Sequence, residues 1–223
     1  MAKRTRRLEQ RPDPDQLDMF PGTHPPPLAP QPDPPAPPPV ATPPGAPHVP
    51  YGTRVDYRYD AAAQLALEHR ALNGITGQQN VAVMVYRDLQ GVERTLVIES
   101  GEPVSPQALA LSAAMEKKWG LKGEGHSESK LKAFLDLNTI PYDHVVRIFS
   151  EREPCTSTPR YCSELLRGMR VGPEKVTYSF EYGPTKDSQD RGNARLTEVV
   201  TTLLRARGGL PMAAPRDPRS DDY

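Results

Sequence analysis

Proline is concentrated at the amino-terminal end of this chain, and this limits where a folded domain can lie. Seventeen of the 27 prolines fall within residues 1–50. Such a segment has too few apolar side chains to offset the entropy lost on ordering, so the sequence predicts a disordered, partly polyproline arm over 1–50. Residues 55–210 have the length of one ordinary domain, and the polar segment 211–223 is predicted to be a disordered tail.

Hydrophobic periodicity within residues 55–210 predicts a regular order of helices and strands. Two β-rich segments, Val81–Tyr86 and Thr95–Glu99, flank a turn near Gly91 and predict a hairpin. The full order is helix, two antiparallel strands, two helices, strand, helix, strand, helix. Because strand–helix–strand alternation favours parallel pairing with helices over the sheet, we expect an α/β fold, a three-layer α/β/α sandwich with a mixed sheet.

Spacing also predicts which faces of these elements are buried. Leu65, His69 and Leu72 have helical spacing and are predicted to share a face of the first helix. Tyr178, Phe180 and Tyr182 alternate along the last strand, which favours burial beneath a helix over stacking on bases. The last helix carries four arginines that are predicted to be solvated rather than to line a nucleic-acid path: Arg191, Arg195, Arg205 and Arg207.

The only two cysteines, together with a His-x-Glu sequence, indicate a metal site. No apolar segment typical of a secretory signal follows the basic start MAKRTRRLEQ, so we expect a cytoplasmic, reducing compartment, where a disulfide is disfavoured. Cys155 follows a predicted strand, while Cys162 and His126 lie at the starts of predicted helices. If these three residues meet at one end of the sheet and bind zinc, one coordination position of the ion stays open, as in catalytic sites. Glu128 would then carry protons rather than bind the metal.

These motifs resemble those of a known family. HSE at 126–128, followed by PC at 154–155 and then Cys162, resembles the H-x-E and P-C-x-x-C motifs of the zinc-dependent nucleobase deaminases. GHSE and IFSEREPC are similar to motifs of bacterial polymorphic-toxin deaminase domains and their free-standing relatives. The resemblance implies a cytidine deaminase-like fold, with the histidine and both cysteines as zinc ligands and the glutamate as proton carrier. One departure is that six residues, TSTPRY, separate the cysteines where the family has two.

By this resemblance the protein would be a zinc-dependent hydrolytic deaminase of cytosine in nucleic acid. Single-stranded DNA is the preferred substrate because a stacked base is inaccessible. Three alternatives remain open: a deaminase of free nucleosides or nucleotides, which the zero net charge fits; an exported toxin deaminase with an immunity protein; and a non-catalytic adaptor that binds a clamp or nucleic acid. The sequence has no apolar run long enough to span a membrane.

Other residues are candidates for binding a substrate or a partner. Asn80, directly before the first strand, is either a substrate contact, as the resemblance implies, or a turn residue. Ser127 and Pro154, inside the motifs, are further candidate substrate contacts, and residues 150–153 are predicted to form a loop entering the site. In the arm, QLDMF resembles the bacterial sliding-clamp-binding pentapeptide and so predicts recruitment to the clamp through five residues: Gln16, Leu17, Asp18, Met19 and Phe20.

Overall fold

The computed structural model describes residues 48–121, 125–156 and 162–208. Within them, five strands form one sheet: β1 (Thr53–Arg54), β2 (Val81–Arg87), β3 (Glu93–Glu99), β4 (Val145–Arg152) and β5 (Val176–Phe180). Five α-helices accompany the sheet: α1 (Ala61–Asn73), α2 (Pro106–Trp119), α3 (Ser127–Leu137), α4 (Cys162–Gly168) and α5 (Lys186–Ala206). The predicted tail and all but the last three residues of the predicted arm lie outside the described residues.

The sheet is mixed, as the sequence predicts. Its strand order is β1-β5-β4-β2-β3. β2 pairs antiparallel with β3 and β4, whereas β5 pairs parallel with β4 and β1. The connection from β4 to β5 contains α4 and is the predicted strand–helix–strand unit. The sequence does not predict β1, because two residues are too few to show a period.

Helices cover both faces of the sheet, which gives the predicted three-layer arrangement. On β2, Ala82 packs in a core beside α2, α3 and α4, while Val83 packs in a second core beside α1 and α5. Ile148 and Phe149 of β4 divide between the same two cores. Because both faces are apolar, these strands consist of nearly continuous hydrophobic runs. None of the described helices is both long enough and apolar enough to cross a membrane.

Capping residues set the ends of the helices. The hydroxyl of Ser105 accepts a hydrogen bond from the backbone N–H of Ala108 at 3.1 Å, and Pro106 begins α2. Gly120 ends α2 with a φ of 67°, a left-handed conformation that glycine adopts without strain. The carboxylate of Asp60 likewise accepts hydrogen bonds at the start of α1. Ser105 and Gly120 therefore set the two ends of α2.

The face of α1 that carries Leu65, His69 and Leu72 is only partly buried. Leu65 is 40% exposed and Leu72 is 77% exposed, and only His69 of these three residues is buried. The helix also buries three alanines, one leucine and the whole side chain of Arg70. The guanidinium of Arg70 is compatible with burial because Glu151 on β4 accepts two hydrogen bonds from it, each 2.7 Å long.

Two predictions near the site need correction. Residues 150–152 do not form a loop, because they are the last three residues of β4. Tyr178 and Phe180 are buried, as predicted. Tyr182, however, lies beyond the end of β5 and lines a cavity, so the alternating aromatic row is core only in part.

Candidate active site

The predicted metal ligands meet at the carboxyl end of β4. Cys155 lies three residues beyond this strand, Cys162 is the first residue of α4, and His126 is the N-cap residue of α3. Because β2 runs antiparallel to β4, the start of β2 lies at the same edge of the sheet, with Ala82 opposite Ser150. This topology brings together two helix starts, one strand end and one strand start.

The three potential ligand atoms are close together. Nδ1 of His126 lies 2.9 Å from Sγ of Cys162 and 3.5 Å from Sγ of Cys155. All three atoms lie within 4.8 Å of one another. Both thiols are buried, and they do not form a disulfide. The sequence-based ligand set therefore forms one group in space.

This donor set fits a Zn²⁺ ion. Zinc binds thiolate sulfur at about 2.3 Å and imidazole nitrogen at about 2.0–2.1 Å, so two atoms bound to one ion are at most about 4.6 Å apart. The distances from His126 to both sulfurs are within that limit. Three protein ligands leave one position of a tetrahedral ion for water or substrate. In the described ranges, no other cluster of His, Cys, Asp or Glu side chains could hold a metal ion.

The two thiols titrate as a pair in the metal-free protein. The hydrogen bond with Cys162 lowers the pKa of Cys155 to about 5 against the opposing effect of burial, and His126 also lowers it. The same hydrogen bond, together with burial, raises the pKa of Cys162. Near neutral pH the pair therefore shares one proton and carries one negative charge, so that binding of a metal must displace the remaining proton.

Glu128, in the first turn of α3, lines the same cavity as the three ligands. Its side chain is almost wholly buried, with 3% of the residue exposed. The hydroxyl of Ser150 donates a hydrogen bond to Oε1 at 2.9 Å, and the hydroxyl of Ser127 donates one to Oε2 at 3.2 Å. Two neutral hydroxyl groups therefore orient this carboxylate.

Asn80 holds both of these serines. Its Nδ2 donates to the hydroxyl of Ser127 at 2.7 Å and to that of Ser150 at 2.8 Å. Its Oδ1 accepts a hydrogen bond from the backbone N–H of Arg152 at 2.9 Å. Asn80 lines the cavity, but both hydrogens of its amide are already used by the serines. Its contact with a substrate stays a prediction, and the structure gives it a positioning role that the sequence did not indicate.

The other two candidate substrate contacts lie in different places. Ser127 is fully buried and lines the cavity, whereas Pro154 is buried but is not part of the cavity wall. Their contacts with a substrate stay predictions. Sequence reasoning missed the role of Ser150, because only the pairing of β4 with β2 places this serine between Asn80 and Glu128.

The cavity has a volume of about 260 Å³, and its outer wall is formed by Arg152, Glu153 and Tyr182. The guanidinium carbon of Arg152 lies 5.0 Å from the centroid of the Tyr182 ring. The same guanidinium donates to the carbonyl of Gln78 at 2.6 Å and to the side chain of Asn193. Burial lowers the pKa of Arg152. A fixed aromatic ring and a guanidinium plane are groups that commonly contact nucleobases.

Glu153 links the cavity to the amino-terminal end of the described chain. Its carboxylate is completely buried and lies 2.7 Å from Nε2 of His48. It also accepts a hydrogen bond from the backbone N–H of Tyr182 at 3.3 Å. Residue 48, which belongs to the predicted arm, therefore lies beside the cavity wall.

A comparison with known proteins finds one family that part of this chain resembles. Residues 111–199 match the family model described as Xanthomonas-like deaminase. The matched segment covers less than half of the chain and contains His126, Glu128, Cys155 and Cys162. Neither the curated proteins nor the solved structures give a match. The segment that holds the candidate metal ligands and the buried carboxylate is thus similar to a deaminase family.

Proposed function

We propose that this protein is a zinc-dependent hydrolytic deaminase that converts cytosine to uracil in single-stranded DNA. One observation carries the proposal: an imidazole, two thiols and a buried carboxylate converge on one cavity, inside the segment that matches the deaminase model. A pair of cysteines buried only for packing would require neither the histidine nor the carboxylate beside it.

The side chains at the cavity would divide the reaction between binding a metal and moving protons. When held by His126, Cys155 and Cys162, Zn²⁺ supplies a water molecule acidic enough to lose a proton near neutral pH. Glu128 would accept that proton and deliver it to the ring nitrogen of the base, and it would then carry the second proton of the same water to the amine. The bond between C4 and the amine nitrogen breaks, oxygen from water takes its place, and ammonia leaves. The two serine hydroxyls would keep the carboxylate in place during both transfers.

The size of the cavity supports a single extruded base as the substrate group. Its volume of about 260 Å³ lies just below the range of about 300–1,000 Å³ that is typical of ligand pockets. A base stacked inside a duplex cannot enter such a cavity, which favours a single strand. The preference for cytosine over adenine rests on the resemblance of the motifs, and a small cavity suits a base with one ring.

Deamination of a labelled single-stranded oligonucleotide that contains one cytosine tests this proposal. With the zinc-loaded full-length protein we expect uracil, detected by uracil excision and strand cleavage, and no change in an oligonucleotide with adenine at that position. The Glu128→Gln variant serves as the control for contaminating activity. If zinc is bound but no polymer or free nucleotide is deaminated, the enzymatic proposal is wrong and a non-catalytic adaptor is supported instead.

A deaminase of free nucleosides or nucleotides is the second candidate. The formal net charge of the chain is zero, so the protein has no overall positive field that would attract a polyanion. The ratio kcat/KM for cytidine, CMP, DNA and RNA oligonucleotides distinguishes the two candidates, because a higher value for cytidine or CMP would favour the second. The toxin alternative, with its immunity protein, stays a prediction from the sequence.

We also propose that residues 16–20 bind the replication sliding clamp. These residues lie outside the described ranges, and the proposal is supported by their resemblance to the clamp-binding pentapeptide. At about 3.1 Å per residue in polyproline form, residues 21–47 would reach roughly 85 Å. A clamp-bound arm of this length would hold the domain close to DNA, at an effective concentration of up to the millimolar range.

A fluorescent peptide of residues 15–22 tests the clamp proposal. We expect it to bind purified clamp with a Kd in the micromolar range, because Leu17 and Phe20 can serve as apolar anchors. The matched peptide with Leu17→Ala and Phe20→Ala should show no saturable binding. If the unchanged peptide also fails to saturate, the segment is only part of a spacer.

A further inference from the structure

A second cavity lies between the β1 edge of the sheet and α5. It has a volume of about 440 Å³ and shares no lining residue with the cavity that holds Glu128. A smaller cavity of about 200 Å³ continues from it, because Arg54, Phe180 and Arg195 line both. We call these two cavities the arginine groove, after the four arginines that line them: Arg54, Arg58, Arg191 and Arg195.

The positive charges of the groove are accessible to a ligand. Arg58 and Arg191 are exposed, and neither forms an ion pair with any residue that the structure describes. Arg54 pairs with Glu181 and Arg195 with a glutamate one helical turn away, but all four of these side chains are more than half exposed. Ion pairs between exposed side chains contribute little to stability, so a phosphate group can replace the carboxylate at little cost. Asp56 is the only acidic residue lining the larger cavity.

One arginine of the groove is held by a buried residue of the groove wall. Ser179 lines the larger cavity and is only 4% exposed. Arg54 is fixed beside this serine, because its Nε donates to the carbonyl of Ser179 at 3.2 Å.

The groove leads towards the cavity that contains Glu128. Ser179 lines the groove and Tyr182 lines the other cavity, with Glu181 in the smaller part of the groove between them. Three residues of extended chain span at most about 11 Å. A strand whose base enters the cavity beside Tyr182 would therefore place a neighbouring phosphate within reach of Arg191.

We infer that the arginine groove binds backbone phosphates of the polynucleotide whose target base enters the cavity beside Glu128. The inference rests on the proposed function for the identity of the ligand. It rests on the groove itself for the chemistry of binding, because guanidinium groups suit phosphate oxygens. The groove offsets the lack of net positive charge, because it concentrates positive charge where the strand must pass. A mononucleotide has only one phosphate and cannot occupy the cavity and the whole groove at once.

The inference is tested by binding to a short labelled single-stranded DNA, measured by fluorescence anisotropy at several salt concentrations. The zinc-loaded full-length protein is compared with the double variant Arg58→Gln/Arg191→Gln. We expect the double variant to bind on the order of tenfold more weakly for every sequence, with a salt slope smaller by about 1.4, since each lost contact on a single strand removes about 0.7.

The matched control is the double variant Arg87→Gln/Arg205→Gln, which removes the same charge from exposed arginines outside the groove. Equal losses in the two double variants would overturn the inference, because total charge would then explain binding. A parallel loss of affinity for CMP would also overturn it, by assigning the groove to a mononucleotide. Binding to DNA can be measured without turnover. If the protein deaminates nothing but the groove variant still loses affinity for DNA, the inference is supported and only the proposed reaction is contradicted.

Discussion

Replacing Glu128 by glutamine should abolish deamination while leaving the bound metal and the stability of the domain nearly unchanged. Glutamine keeps the shape of glutamate and an oxygen that can accept from Ser150, but it cannot take up and release a proton. General acid–base catalysis contributes about 10²–10⁴-fold, so we expect kcat to fall by about 10³-fold or more. Rate measurements combined with metal analysis of the same preparation check this. Loss of zinc from Glu128→Gln would show that the carboxylate is a ligand and not a proton carrier.

Removing the hydroxyl of a serine beside Glu128 should lower the rate of deamination less than replacing Glu128 does. Ser150→Ala removes the hydroxyl that contacts Oε1 at 2.9 Å. A catalytic group that loses its positioning contact typically costs about 10²-fold, less than removal of the group itself. If Ser150 acts only through Glu128, adding Ser150→Ala to Glu128→Gln should lower the rate no further. A further loss in the double variant would show that the serine has a separate role.

Removing either cysteine should release zinc and destabilise the domain. Cys155 and Cys162 connect the end of β4 to the start of α4, and His126 connects both to α3, so a bound ion would cross-link three elements. A ligand at a thousand times its Kd stabilises a fold by about 4 kcal/mol. For a domain of this size that corresponds to a fall in Tm of roughly 10 °C. Thermal unfolding with and without a chelator measures it.

The control for this prediction is the response to the chelator. The chelator should lower the Tm of the unchanged protein to that of Cys162→Ala, and it should not affect the variant. If the chelator does not change the Tm of the unchanged protein, the prediction of a bound metal is contradicted. The thiol pair adds a pH dependence: because the pKa of Cys162 is raised, protons compete with the metal. Zinc affinity should therefore rise with pH, and zinc binding near neutral pH should release a proton into a weakly buffered solution.

The sequence predicted the three residues of the candidate metal site because local patterns mark each of their positions. His126 and Cys162 stand at helix starts, Cys155 follows a strand, and periodicity identifies such boundaries without knowledge of the fold. The partners of Glu128 are different. Asn80 and Ser150 are brought together by the register of β2 against β4, in which Ala82 pairs with Ser150. A single sequence does not reveal register, so the sequence identified the carboxylate but not the hydroxyl groups that hold it.

The burial of Arg70 in α1 could not be predicted for the same reason. Arginine is usually exposed, and the spacing of apolar residues gives no sign that this one is buried. Arg70 is buried because Glu151, far away in the sequence, accepts two hydrogen bonds from its guanidinium. Alanines on the same face allow the helix to approach the sheet closely. Helical periodicity does not show this charged partner, so it could not predict that Arg70 is buried.

Two buried glutamates near the end of β4 show how neighbours decide what a carboxyl group can do. Glu151 is bound by the guanidinium of Arg70, by the backbone N–H of Val81 and by the hydroxyl of Tyr57, so a permanent positive charge holds it to α1. Glu128 is held by two serine hydroxyls, which carry no charge. The first carboxylate joins a helix to the sheet, while the second is oriented by neutral groups and faces the cavity that it lines.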